Sequence, residues 1–303
     1  MIFLSPIPAD LGSYYTQAYP AYQRPTLQEL EAKAEQERYK LDIVQNHVTR
    51  GRLLEIGPSF GGFSYLAKKA GFEVEAIEMD AECCRYLTEV VGVTAINTGR
   101  ASQALEDRKP YQVAALWHVI EHLADPWETL EAVWKKLQPG GFLVIAAPNP
   151  ASLQFRIFGP YWIHVDAPRH LQLIPAELIA RHMESFGMKT VLTTTKDRAG
   201  TQFHSFGWWA GSFRIVMKGL RPGRLEKQAG SRRQGAVSRE AVRTSALPEM
   251  PGGFINLLTF PLRVTKIAFA VGVRLLAFLM MKPFERREGL GSAYTIVLQK
   301  KQD

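Results

Sequence analysis

Cysteine is nearly absent from this chain. Two occur in 303 residues, side by side at Cys83 and Cys84. Adjacent thiols build neither a disulfide framework nor a spaced metal-ligand set, and such usage suits a reducing compartment. No secretion signal is expected in the first residues: Met1-Ile2-Phe3-Leu4 has no basic start and runs directly into Pro6, Pro8 and Asp10. A cytoplasmic location is therefore expected, with a peripheral place at the inner face of a membrane as an extension of it. Acid is scarce in the last third. Residues 1–200 carry 20 Lys and Arg against 23 Asp and Glu, a net −3, whereas residues 201–303 carry 17 against 6, a net +11. An enzyme of nucleic acids is expected to ring its active site with base. Here the base lies in an appendage, so an anionic membrane surface meeting residues 201–290 is the expected partner and nucleic acid is not.

That appendage lacks other things. Residues 221–250 hold no aromatic side chain but seven Lys and Arg among Gly, Ser and Pro, the composition of a mobile loop. Residues 254–281 are strongly apolar, yet Arg274 interrupts them, leaving less than the roughly 18 unbroken apolar residues of a membrane span. From Pro261 onward, helical spacing puts Arg263, Lys266, Ala270, Arg274 and Ala277 on one narrow stripe, with Ile267, Phe269, Leu275, Leu276 and Phe278 around it. A helix lying in a membrane interface has this pattern; so does one buried against the domain or a dimer partner.

What the chain does have is concentrated between residues 50 and 190. Leu53-Leu54-Glu55-Ile56-Gly57-Pro58-Ser59-Phe60-Gly61-Gly62-Phe63 is an apolar strand ending in an acid, a glycine turn, and a helix running from about Gly62 to Ala70. Gly57 allows a sharp turn, Gly61 and Gly62 leave bare peptide for a ligand, and the helix directs its first N–H groups at what binds. A dinucleotide fingerprint requires G-x-G-x-x-G; Ser59 occupies the second glycine's place, and Glu55 suits a cationic ligand better than a pyrophosphate. Phe72 to Glu78 alternates as a second strand ending in an acid. Tyr111 to Trp117 reads as another, followed by His118-Val119-Ile120-Glu121-His122 and Asp125-Pro126. Leu137-Gln138-Pro139-Gly140-Gly141 then turns into a further strand through Ile145.

Taken in this order, the motifs resemble those of class I S-adenosylmethionine-dependent methyltransferases. The resemblance implies an α/β fold: a Rossmann-like sheet of seven strands with an antiparallel last strand, helices on both faces and a largely helical insertion before that strand. It implies S-adenosyl-L-methionine as cofactor, with Glu55, Gly57, Ser59 and Gly61 in the first turn, Glu78 on the ribose hydroxyls, Met79 on the adenine face, and Ala101, Trp117 and His118 completing the pocket. An acceptor-only carboxylate suits two hydroxyl donors. Two departures stand out: Gln112 replaces a common Asp at the head of the fourth core strand, and Gly99-Arg100-Ala101 replaces a common Asp near the adenine.

The division expected is a cap segment and helix (1–50), a cofactor-binding core (51–200), the basic and apolar insertion (201–290), and the last strand (291–303). Thr26 to His47 reads as a helix. Tyr14 or Tyr15, in an aromatic cluster with Tyr19 and Tyr22, either closes the cofactor pocket or packs on the first core strand. Ile179, Met183 and Phe186 mark a helix capped at Gly187, Thr190 to Thr195 a sixth strand, and Ser292 to Gln299 the last.

Methyl transfer to a hydroxyl requires a base, and histidine titrates in the right range. Ligands of open α/β sheets sit beyond the carboxyl ends of the strands. His118 and His122, beside Glu121, are therefore candidates. A second cluster, Tyr161-Trp162-Ile163-His164-Val165-Asp166-Ala167-Pro168-Arg169-His170-Leu171, resembles a segment of methyltransferases that act on cell-surface glycans and quinone-like acceptors. It supplies His164 or His170 as base and Arg169 to orient the acceptor. No metal is expected; a divalent ion on His118, Glu121 and His122 with His164 or His170 is the alternative. The activity expected is methyl transfer to an oxygen of a small or lipid-linked acceptor. Rival readings are an NAD-dependent oxidoreductase and a non-catalytic membrane-associated scaffold.

Overall fold

A computed structural model gives the fold and describes residues 1–8, 10, 14, 23–202, 204–220, 281 and 283–302. The chain opens with β1 (Ile2–Phe3), then α1 (Leu27–Gln36) and α2 (Arg38–Gln45). Thr26 and Glu29 form a reciprocal capping box at the start of α1. The single helix expected over 26–47 is broken at Glu37, whose backbone (φ −102°, ψ 11°) leaves the helical region. The apolar spacing nevertheless holds across the break, with Leu30, Ala34, Leu41 and Val44 all buried.

The core follows as β2 (Gly51–Ile56), α3 (Gly62–Lys69), β3 (Phe72–Glu78), α4 (Ala81–Tyr86), β4 (Thr94–Asn97), α5 (Ala101–Ala104), β5 (Tyr111–Trp117), α6 (Pro126–Lys136) and β6 (Leu137–Pro148). After it come α7 (Leu153–Phe158), β7 (Gln172–Leu173), α8 (Ala176–Ser185), β8 (Met188–Thr194), α9 (Arg198–Thr201), α10 (His204–Leu220) and β9 (Ala293–Lys300). Seven strands make one sheet in the order β4-β3-β2-β5-β6-β9-β8. β9 runs antiparallel to both β6 and β8, between which it is inserted, as expected.

The central strands are buried on both faces, which is why they read as continuous apolar runs. Val113, Ala114, Ala115 and Leu116 of β5 are all fully enclosed. Leu53 of β2 faces the layer built with Phe63, Leu66, Leu41 and Val44, while Leu54 and Ile56 face the layer built with Leu130, Val133, Ile179 and Met183. Burying each such side chain contributes about 1.5–3 kcal/mol. The order reverses between β2 and β5, the neighbours of the sheet centre, so the crevice at their carboxyl ends is where a ligand belongs.

One pairing was not legible in the sequence: β1 adds antiparallel to β7, Ile2 opposite Leu173 and Phe3 opposite Gln172, in a run too short for periodicity to register. The aromatic stretch after residue 202 is the helix α10. Among residues whose side chains are described, Phe206, Trp209 and Phe213 stack along its exposed side, with centroids 6.0 and 5.6 Å apart. The expected mobile loop at 221–250 and apolar helix at 254–281 lie outside the described residues, apart from Met281, as do Tyr15, Tyr19 and Tyr22.

Candidate active site

A cavity of about 700 Å³ opens at the carboxyl ends of β2, β3 and β5. Its walls collect most of the residues singled out above: Glu55, Gly57, Ser59, Glu78, Met79, Ala101, Trp117, His118, His122, His164 and His170. A smaller hollow of about 420 Å³ against α1, α2 and α3 carries none of the motifs.

The turn after β2 is shaped by its glycines. Gly57 has φ +69°, and a Cβ there would lie 2.5 Å from Val119 Cγ2. Gly61 has φ +80° and lies against Leu87, whose Cδ2 is 2.4 Å from where a Cβ would be. Gly61 is not among the cavity-lining residues, so its part is to shape the turn; its neighbours Gly62 and Phe63 line the wall instead. Ser59 is itself left-handed at φ 53°, an uncommon state for a residue with a side chain.

Glu78 ends β3 and is buried. Its Oε2 accepts from the Ser59 N–H at 2.9 Å and its Oε1 from the Asp80 N–H at 3.0 Å. Burial pushes its pKa up, against the pull of these amides. Glu55, the acid that closes β2, is enclosed and accepts from Ser64 Oγ at 2.5 Å. Burial raises its pKa to about 7, the Ser64 hydroxyl opposing. Among the described residues the buried indole N–H of Trp117 has no acceptor. Thr98, Gly99 and Ala101 complete the wall near Glu78, so the segment that departs from the common pattern still reaches the cavity. Gln112 faces the other end of the sheet: its Oε1 accepts from the Arg52 N–H at 2.5 Å and its Nε2 donates to Gln138 at 2.9 Å.

The other half of the cavity is a histidine cluster around Glu121. His118 sits at the tip of β5 with φ 57°, a strained backbone of the kind that gathers at active sites. Its Nδ1 is 3.7 Å from Glu121 Oε1. Glu121 is 2% exposed. Burial acts to raise its pKa, but the His118 contact and the charges of His122 and His170 outweigh it and hold the carboxyl at about 2. His122 Nδ1 faces the Arg169 carbonyl at 3.0 Å and His170 Nδ1 faces the His164 carbonyl at 2.7 Å. A carbonyl only accepts, so Nδ1 carries the proton in both rings and Nε2 the lone pair. Burial lowers the pKa of His122, and that of His164 to about 3.

Arg169 does not join the cavity wall. Its guanidinium is paired with Asp166, Nε at 2.9 Å and Nη2 at 2.8 Å, while its carbonyl holds His122. Tyr14 is exposed and likewise absent from the wall. Sequence reasoning missed Gln202, which also lines the cavity; no spacing rule points to a residue brought in by loop packing.

The sheet order with its antiparallel insertion, and the glycine turn set against two acids at the strand ends, define the class I S-adenosylmethionine-dependent methyltransferase fold. A sequence model for the methyltransferase domain matches residues 26–193, and the chain belongs to that family. It is 32% identical over 103 residues to a ubiquinone biosynthesis O-methyltransferase of Caulobacter sp. (strain K31), an alignment covering 32% of this chain and 41% of that protein. With the protein of the same name from Ruegeria pomeroyi it shares 29% over 188 residues, 56% of this chain and 73% of the other. The chain thus spans about two fifths of the first relative's length. A crystal structure of a SAM-dependent methyltransferase from Archaeoglobus fulgidus superposes with a TM-score of 0.53 at 16% identity, covering 96% of this chain and all of that one.

The residues present fit the family's cofactor, S-adenosylmethionine. Glu78 offers a carboxylate, Gly57 allows a left-handed turn packed so tightly on Val119 that no side chain fits, and among the described residues the buried Trp117 N–H has no acceptor.

Proposed function

We propose that this chain transfers a methyl group from S-adenosylmethionine to a hydroxyl oxygen of a small or lipid-linked acceptor, quinone-like in character. The observation that carries the reading is that one cavity joins the Glu55–Gly57–Glu78 wall to the Glu121–histidine cluster. The bound cofactor supplies an activated methyl group, and the chain's own residues hold the nucleophile in line and exclude water. Glu78 takes the ribose hydroxyls and Met79 flanks the base. Glu55 balances the positive end.

The acceptor lies against Ile163, His164 and His170. His118 takes the proton from its hydroxyl, oriented by Glu121. Of the two histidines favoured from sequence, His164 is too weakly basic at neutral pH, since burial holds it near 3. His170, whose Nδ1 donates to the His164 carbonyl, keeps its Nε2 lone pair and is the alternative base. The relatives' names support an oxygen nucleophile on a quinone precursor. The test is transfer of labelled methyl to phenolic quinone precursors and to a host lipid extract. One product heavier by a single CH₂, absent with Glu78→Ala, is expected; no labelled product from either source contradicts the reading.

The membrane surface belongs to the same proposal. Residues 201–303 carry a net +11, α10 exposes Phe206, Trp209 and Phe213, and aromatic side chains favour membrane interfaces. Among the described residues no helix is long and apolar enough to cross a membrane. Deleting residues 221–282 is expected to abolish binding to anionic liposomes while sparing cofactor binding. Undiminished liposome binding contradicts it.

A further inference from the structure

From the packing of α10 we infer that this helix couples two surfaces: its outer aromatic face docks on an anionic bilayer, and its inner face holds the acceptor wall of the cavity, so that docking sets the geometry of the acceptor half of the site. The inner face is built for close approach. A Cβ at Gly207 would lie 2.1 Å from Gln154 Oε1, and one at Gly211 2.7 Å from Phe158 Cγ, so only glycine lets α10 press this closely on α7. Trp208 and Ile215 complete the contact, joining Phe158 and Trp162 in one apolar cluster. Phe206, Trp209 and Phe213 follow helical spacing along the opposite side, each more than half exposed.

A chain of buried polar contacts runs from this helix to the cavity. Trp208 Nε1 donates to Glu285 Oε2 at 2.7 Å, and Gln154 Nε2 to Glu285 Oε1 at 2.6 Å. Trp162 Nε1 donates to Gln154 Oε1 at 3.2 Å. The Trp162 ring lies 4.8 Å from the His164 ring, and the His164 carbonyl accepts from His170 Nδ1 at 2.7 Å. Arg214 adds a second tie from α10, donating to the Trp162 carbonyl at 3.0 Å. Glu285, Gln154 and Trp162 are fully enclosed. Moving one of them without the next leaves a buried donor or acceptor unmet, so they move together. Ile163, His164 and His170 line the cavity; the chain of contacts therefore ends in the acceptor wall, not at Glu55 or Glu78.

Charge selects the occupant of the outer face. Neither α7 nor α10 contains an acidic residue. α7 exposes Arg156 and Ile157, and the segment 283–287 exposes Phe284, Arg286 and Arg287, with the Arg287 guanidinium 4.8 Å from the Phe284 ring. Glu288, the exposed acid beside them, is tied back to the Thr195 N–H at 2.6 Å. Aromatic rings set among guanidinium groups match the interfacial zone of an anionic bilayer, whereas a second copy of this chain would bring like charge against like. That the wall reached in this way receives the acceptor rests on the proposed function; the docking and its transmission do not.

The test is amide hydrogen exchange of the full-length protein, without cofactor or acceptor, free and mixed with vesicles of phosphatidylcholine, with or without phosphatidylglycerol. Binding to the anionic vesicles, protection over 206–213 and a change of at least about threefold in exchange over 159–171 are expected. Trp209→Ser combined with Phe213→Ser should lower partitioning at least about tenfold. Arg286→Gln combined with Arg287→Gln should lower it by about fivefold per charge, on anionic vesicles alone. Glu285→Gln and Trp162→Phe each break one link, and should bind vesicles as the wild type does while losing the response over 159–171. Circular dichroism identifies any variant that fails to fold, and the two are independent. Equal partitioning by the aromatic variant, or a vesicle-independent dimer that this variant dissolves, overturns the docking face. Exchange over 159–171 indifferent to bound vesicles, or a response retained in both Glu285→Gln and Trp162→Phe, overturns the coupling. S-adenosylmethionine binding is measured separately, so failure here leaves the methyltransferase reading standing, and failure there leaves this result intact.

Discussion

Glu78 and Ser59 are joined through one carboxylate oxygen: the Ser59 N–H donates to Glu78 Oε2 at 2.9 Å, across 19 residues of sequence. The other oxygen accepts from Asp80 at 3.0 Å. One side chain therefore holds the turn after β2 and the turn after β3 in register, and does so in the wall of the cavity proposed for the cofactor. Glu78→Ala removes the proposed ribose acceptor and both loop contacts together. Charge-assisted hydrogen bonds are worth about 1.5–3 kcal/mol, so a loss of about 10- to 150-fold in cofactor affinity is expected by calorimetry. Unchanged affinity removes Glu78 from the site.

Glu55 predicts a pH dependence of cofactor binding. Burial raises its pKa to about 7 in the unliganded protein, above the unfolded value. Its contribution to stability is therefore fully present below the unfolded carboxyl pKa and is lost as pH rises through about 7. A cationic ligand favours the ionised form, so binding releases a proton. Affinity should rise with pH by up to about tenfold per unit while Glu55 is protonated, then level off above about 7. Glu55→Gln should flatten the profile. A slope retained in that variant assigns the proton elsewhere.

His118 predicts a split between binding and turnover. A positioned base contributes about 10²–10⁴-fold, so His118→Ala should lower kcat by that order with cofactor affinity within a few-fold of wild type. A fully active variant clears His118 of the base role and returns it to His170.

Glu285 predicts a stability effect away from the chemistry. It is fully buried, accepting from Gln154 Nε2 at 2.6 Å and Trp208 Nε1 at 2.7 Å. Gln154 in turn accepts from Trp162 Nε1 at 3.2 Å, and the Trp162 ring lies 4.8 Å from His164. Glu285→Ala strands both donors, at about 1–3 kcal/mol each, and should lower Tm while loosening the loop that carries His164. An unchanged Tm contradicts the network.

The sheet, and the gathering of the Glu55–Gly57–Glu78 residues in one cavity, were legible in the sequence, because each rests on local rules. Continuous apolar runs mark doubly buried strands such as β5, and an acid at a strand end followed by glycines marks a turn such as Gly57. The histidine half was legible as a set of residue types but not as geometry. That Arg169 turns to Asp166 while its carbonyl holds His122 follows from loop packing. The assembly of Glu121 with His122 and His170, 49 residues apart at the extremes, depends on the fold. The break at Glu37 and the pairing of β1 with β7 escaped for a similar reason: neither changes the apolar spacing that periodicity reads.

The central claim is that the crevice at the ends of β2 and β3 holds S-adenosylmethionine. Calorimetric titration of the full-length protein with S-adenosylmethionine and, separately, with NAD⁺ tests it most directly. The account predicts saturable one-to-one binding of the sulfonium compound, weakened in Glu78→Ala, and none of the dinucleotide. Absence of heat with S-adenosylmethionine at millimolar concentration, or equal binding by wild type and variant, would contradict it.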